Sequence, residues 1–283
     1  MRSLRQPGPA EGERIEAHDG DCVALEIALN AGLSLNEALT RELVASGFSS
    51  GTLVFADAVL GPFTYVVPHP APDASHVAYF SPPRTPPGET HVEIANVTFG
   101  WRDGAPFVHC HGVWTEADGS RRGGHMMPDE TVLARSGVAR AWAFRDVTIR
   151  VEPDAETNFS LFRPTPLAKP APGRRAIVAR IRPNEDLCTA IEAICAARGI
   201  RKATIRGSLG SLIGAVFENG DTVPDIATEV LVLTGSVSLD GAGSPRARID
   251  MAVVDMHGEV HRGILARGEN PVCITFELVL EQT

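Results

Sequence analysis

Two stretches of the chain carry the 3.6-residue apolar period of an amphipathic helix. In the first, Leu35, Ala38, Leu39 and Leu43 recur at helical spacing and line one face. Ser34 stands before them as an N-cap, and Glu37 three residues later completes a capping box. Gly47 is placed to end this helix. In the second, residues 184–187 open a helix with Leu187, Ile191 and Ile194 as its stripe, and Gly199 closes it. Leu35 and Leu187, Leu39 and Ile191, and Gly47 and Gly199 each lie 152 residues apart.

Strand-patterned segments follow both helices. Residues 51–55 answer to residues 203–207, and further on residues 93–98 resemble residues 229–234, which matches Glu93 with Glu229 and marks both as structural. The offset has dropped to 136 there, because the first copy holds a Pro-rich insertion at 68–90. That insertion is expected as a loop or arm over the surface. A second cluster of prolines, at 163–173, reads as a stiff, extended linker. Strands that come in a run, instead of alternating with helices, imply an antiparallel sheet with the helix on one face. The expected fold is α+β: two tandem copies, 1–162 and 174–283, joined by the linker 163–173.

Composition narrows the class. A chain of 283 residues, 43% hydrophobic and 22% charged, is an ordinary globular protein with room for one large or two medium domains. No apolar run approaches the roughly 18 residues of a membrane span. The polar residues 1–20 lack the apolar centre of a signal peptide. Five scattered cysteines, Cys22, Cys110, Cys188, Cys195 and Cys273, make no disulfide framework. A cytoplasmic location is the expectation. The net charge is −9, and neither half is basic: 14 Lys and Arg face 21 Asp and Glu in residues 1–169, and 12 face 14 in the rest. Nucleic-acid binding, which runs on neutralising phosphates, is disfavoured.

The chemistry lies in the first copy. His109 and His111 are two residues apart on a strand, so their imidazoles share a face. After the Asp118-Gly119 turn, Gly123-Gly124-His125 can bring a third imidazole beside them. Three imidazoles around one point suit zinc with an open fourth position, with iron, nickel, cobalt or manganese as alternatives. Cys110, between the pair, faces the core. Glu130, near His125, is the candidate general acid. Candidate pocket residues are Trp114, Arg122, His69 and Tyr79, with Tyr65, His76 and Arg102 behind them. His69 and His76 sit in the Pro-rich insertion, a possible lid over the metal.

The strand-borne His-x-His, the Asp-Gly turn, the Gly-Gly-His run and the preceding amphipathic helix resemble the PPC (plants-and-prokaryotes-conserved) domain. The second copy resembles it through Asp186-Leu187, Gly207-Ser208-Leu209-Gly210-Ser211, Leu233-Thr234-Gly235 and residues 274–278. The resemblance implies an α+β fold, homotrimers and, in prokaryotic members, a metal on three histidines, here His109, His111 and His125. Plant members bind AT-rich DNA through a separate Arg-Gly-Arg-Pro hook, which this sequence does not contain.

The second copy acts as a control. Superposing Asp118-Gly119 on His257-Gly258 turns His109 into Arg248, His111 into Asp250 and His125 into Ile264. All three ligands vanish together, as expected of a metal site and not of structural histidines. His257 and His261 then read as exposed turn residues. Three functions follow as expectations: a metalloenzyme acting on a small carbonyl or carboxylate compound by hydrolysis, hydration or elimination; a DNA-binding regulator; and a non-catalytic, metal-stabilised oligomer. The expected partners are a small-molecule ligand and further copies of the chain.

Overall fold

In a computed structural model, residues 2–168 and 175–283 are described. Both helices form where the apolar period places them. Helix α1, Leu35–Ala45, has Ser34 as N-cap, its hydroxyl accepting the Glu37 N–H at 3.1 Å. The Glu37 carboxylate pairs with Arg41 one turn on, so the box is closed from one side. Helix α2, Leu187–Ala197, is capped by Asp186, which accepts the Thr189 N–H at 2.9 Å. Gly47 and Gly199 end the two helices at φ of +74° and +64°, a backbone region that penalises any Cβ. Leu35, Leu39 and Leu43 are fully buried, each contributing about 1.5–3 kcal/mol by leaving water.

Among the described residues the molecule is mostly β-sheet with these two helices. A ten-stranded sheet runs Val23–Leu29, Gly137–Phe144, Ser50–Phe55, Thr90–Arg102, Ala105–Thr115, Arg121–Met126 and Tyr65–Val66, with three further strands branching from it. An eight-stranded sheet runs Ile15–Asp21, Arg175–Ile181, Val272–Gln282, Ala203–Ile205, Thr228–Leu239, Pro245–Val254 and Val260–Ile264, with Leu209–Leu212 bridging Thr228–Leu239 and Val272–Gln282. Pairing is antiparallel apart from one parallel contact, Arg150 to Trp101. No helix of the described residues is long and apolar enough to cross a membrane.

The chain does not keep its halves apart. Ile15–Asp21 pairs with Arg175–Ile181 in the second sheet, while Val23–Leu29, one residue later, joins the first. The expected linker begins inside a strand, because Ser160–Pro166 pairs with Val147–Pro153. Leu167 and Ala168 follow it with their N–H groups on the Asp146 carbonyl, and 169–173 lie outside the described residues. Trp142, Phe144, Ile149 and Phe162 of the first half pack on Ala176, Val178 and Val279 of the second. Val113 meets Leu209, Leu231 and Ala252 in another shared cluster. Asn96 donates to the carbonyls of Ser208 and Val232 at 2.9 and 2.8 Å.

Glu93 and Glu229 are not counterparts. A bulge between Val92 and Ile94 pushes Glu93 out of the ladder, as an extra residue in one strand must. His91 faces Thr115 as Glu229 faces Val254, so the ladder equates Glu229 with His91. Glu93 lies on the surface with Arg121, whereas Glu229 is buried.

Candidate metal centre

The ligand hairpin is Ala105–Thr115 with Arg121–Met126, turned at Gly119 (φ +87°). Parity puts His109 and His111 on one face, and His125 stands directly opposite His111 across the ladder. The three rings lie 4.6, 4.8 and 5.4 Å apart, centroid to centroid. One ligand atom from each falls within 4.8 Å of the others. Gly124 makes the approach possible: at φ +152°, a Cβ there would sit 2.5 Å from the Val66 carbonyl oxygen.

The second half fixes the rings. His111 Nδ1 donates to the Val230 carbonyl at 3.1 Å, and His109 Nδ1 donates to Glu277 Oε1 at 2.8 Å. A carbonyl only accepts, so His111 carries its proton on Nδ1 and turns its Nε2 lone pair toward His109 Nε2, 3.0 Å away. An approach this close calls for a positive centre between the two nitrogens, a shared proton or a metal ion. Two imidazoles on one tetrahedral zinc stand about 3.3 Å apart, given Zn–N bonds of about 2.0–2.1 Å. The donor set and its outer acceptors fit a borderline-soft divalent ion. Burial holds the His111 and His125 imidazoles well below their ordinary pKa, and the neighbouring imidazoles add to it. Both rings therefore stay neutral, as ligands must be.

A cavity of about 570 Å³ opens from the histidines, within the usual range for small-molecule sites. Phe80, Phe107, Phe159 and Phe162 make an apolar wall, with the Phe80 ring 5.3 Å from His125. Phe80 comes from the Pro-rich insertion, where Tyr79–Phe80 pairs with Pro68–His69 and folds over the site. Ser211, Thr228, Glu229, Thr275 and Glu277 come from the second half. Burial pushes the Glu229 carboxyl well above the ordinary carboxylate range.

Of the residues expected in the pocket, Tyr79 lines it and Arg102 sits on its rim, 3.6 Å above the Phe107 ring. Glu130 is exposed at the mouth. Trp114 is a correction. It alternates onto the face of Cys110, away from the histidines, and packs in the core against Phe63 and Tyr65. Arg122, opposite Trp114 on the next strand, is likewise outside the cavity lining. His69 is exposed and bonded to the Pro70 carbonyl, and His76 packs on Tyr79 and Phe159. Tyr65 donates its hydroxyl to Glu116. Cys110 is fully buried, 3.5 Å from the Met126 sulfur. His261 pairs with Asp255, and His257 is exposed.

In the second half Asp250 faces Ile264 as His111 faces His125. Ion pairs occupy the counterpart positions: Asp250 with Arg262, and Arg248 with Glu218. The sequence reading missed Glu277, Glu229 and Phe80. A lone acid inside the apolar run 274–280 was the available signal for Glu277.

Residues 168–283 match the Plants and Prokaryotes Conserved (PCC) domain family, written PPC above. No curated protein matches the sequence. Among solved structures, the metal-containing protein of Archaeoglobus fulgidus is 15% identical, over 53% of this chain and 99% of that one, with a TM-score of 0.40. A plant- and prokaryote-conserved protein of Pyrococcus horikoshii is 15% identical, over 55% and 97%, with a TM-score of 0.39.

Proposed function

We propose that this chain, whose residues 168–283 match the Plants and Prokaryotes Conserved family, is a metal-binding protein acting on a small, largely apolar carbonyl or carboxylate compound, by hydrolysis, hydration or elimination. The observation that carries this reading is the pair of Nε2 atoms held face to face at 3.0 Å at the inner end of an apolar cavity. His109, His111 and His125 would hold the ion, zinc being the default for three neutral imidazoles. A divalent cation there supplies Lewis-acid polarisation of a carbonyl and a lowered pKa for water. Phe80, Phe159 and Phe162 exclude water and seat the apolar body of the substrate. Tyr79 and Arg102 flank the entrance. The first half, on this proposal, is a second copy of the family domain in tandem; the shared facing of His111 with His125 and of Asp250 with Ile264 supports it.

The test is metal analysis of zinc-loaded protein together with a screen of ester and carbonyl substrates, with and without chelator. One ion per chain and chelator-sensitive turnover are expected, with both lost in the doubly substituted His109→Ala, His111→Ala protein. Full turnover by metal-free protein would sink the proposal.

A further inference from the structure

We infer that the C-terminal half, which lacks the three ligands, is the outer shell of the N-terminal centre, and that Glu277 is its positioning residue. The inference rests on the metal-binding reading above and adds a residue from the other half of the chain. Glu277 sits in Val272–Gln282, amid Phe276, Leu278, Val279 and Leu280, and its side chain is 8% exposed. Burying a carboxylate in an apolar strand is costly unless its partners compensate. Here one oxygen accepts from His109 Nδ1, and Oε2 has no hydrogen-bond partner among the described residues. Packing alone does not explain an acid at that place.

What it does is orient. An imidazole whose Nδ1–H is engaged by a carboxylate is fixed in tautomer and ring angle, and its Nε2 becomes the more basic donor. The Val230 carbonyl does the same for His111 from a nearby strand. Leu209–Leu212 brings the two acceptors together, because Gly210 pairs with both Val230 and Phe276. Thus two strands of the second half supply the two Nδ1 acceptors, while the first half supplies the nitrogens aimed at the ion.

Zinc affinity of the full chain is measured by competition with a chromophoric chelator for the wild type, Glu277→Ala, Glu277→Gln and Glu192→Gln. Glu277→Ala is expected to weaken zinc by about 10–100-fold, the usual cost of losing an outer-shell carboxylate. Glu277→Gln keeps an acceptor oxygen and is expected to recover most of that loss. Glu192→Gln breaks the pairs with Arg246 and Arg267 in the same half; it should lower the melting temperature and leave zinc affinity alone. Nitrogen-15 shifts of the metal-free proteins read the tautomer directly: Nδ1–H for His109 in the wild type, a mixture in Glu277→Ala. Wild-type zinc affinity and an unchanged His109 tautomer in a folded Glu277→Ala would overturn this inference alone. A wild type that holds no zinc would bring down the metal-binding reading, and this inference with it.

Discussion

At the residue scale the centre combines groups that burial drives in opposite directions. His111 and His125 have pKa values held well below 6.5, and Glu229 has one held well above 4.5. In metal-free protein the histidines contribute stability that is complete above about pH 6.5. It drains away as pH falls, because the unfolded chain takes up protons that the folded rings refuse. Glu229 runs the other way: its contribution is intact below about pH 4.5 and is lost as pH rises through its folded-state value. Glu229→Gln should therefore raise the melting temperature of metal-free protein most at alkaline pH, with the gain shrinking toward pH 4.5. Melting curves from pH 4.5 to 9 check this, and a gain independent of pH would contradict it. The histidine cluster was legible in the sequence because parity and one turn suffice to assemble it. Trp114, expected in the pocket, was misplaced because the same parity was not applied to it: alternation sends it to the face of Cys110, away from His109 and His111. Glu277 was not legible, since its meeting with His109 spans 168 residues and no local period encodes it.

At the element scale the caps and stripes of both helices follow from spacing alone, but their worth depends on what lies beyond the helix. Ser34 accepts one N–H, so Ser34→Ala should cost about 1 kcal/mol. Asp186 accepts the Thr189 N–H with one oxygen and the Asn270 N–H with the other, both at 2.9 Å. Asp186→Ala also strands the buried Asn270 N–H and should cost about 2–3 kcal/mol. Urea unfolding of the two variants measures the difference, and equal costs would show that the second bond contributes nothing. The Pro-rich arm was legible as a surface excursion and as a cover for the metal, but the side chain it would bring there was not. Proline sets extended backbone and leaves open which side chain closes a distant cavity. Phe80 is 40% exposed, so Phe80→Ala should barely move stability while weakening an apolar ligand several-fold, as expected for one wall of a pocket. Titration calorimetry with a small aromatic ketone on zinc-loaded protein reads this out; unchanged affinity would remove the arm from the site.

At the scale of the whole molecule, two sheets that the sequence presents in succession are sewn into one body, and the candidate site lies in the seam. The seam is partly charged. Arg182 donates to Glu16 at 2.6 Å and to Asp154 at 2.9 Å, Arg180 donates to Asp154 at 2.6 Å, and all four side chains are nearly inaccessible. Burial would raise the Asp154 carboxyl, but the Arg180 guanidinium together with the N–H and hydroxyl of Thr157 holds it down to about pKa 2. Its contribution is thus present above the ordinary value of 3.8 and disappears as pH falls through about 2. Removing one cation leaves two acids short of a buried partner, a loss of about 3–5 kcal/mol. Because Glu16 lies on the strand that crosses into the second sheet, Arg182→Leu should loosen the docking of both halves together. The expected result is a lower melting temperature, still in one transition, with zinc released to a chelating dye at the same temperature. Two separated transitions, or zinc retained after the first, would show that the halves melt independently and that the first half keeps the ion without its outer shell.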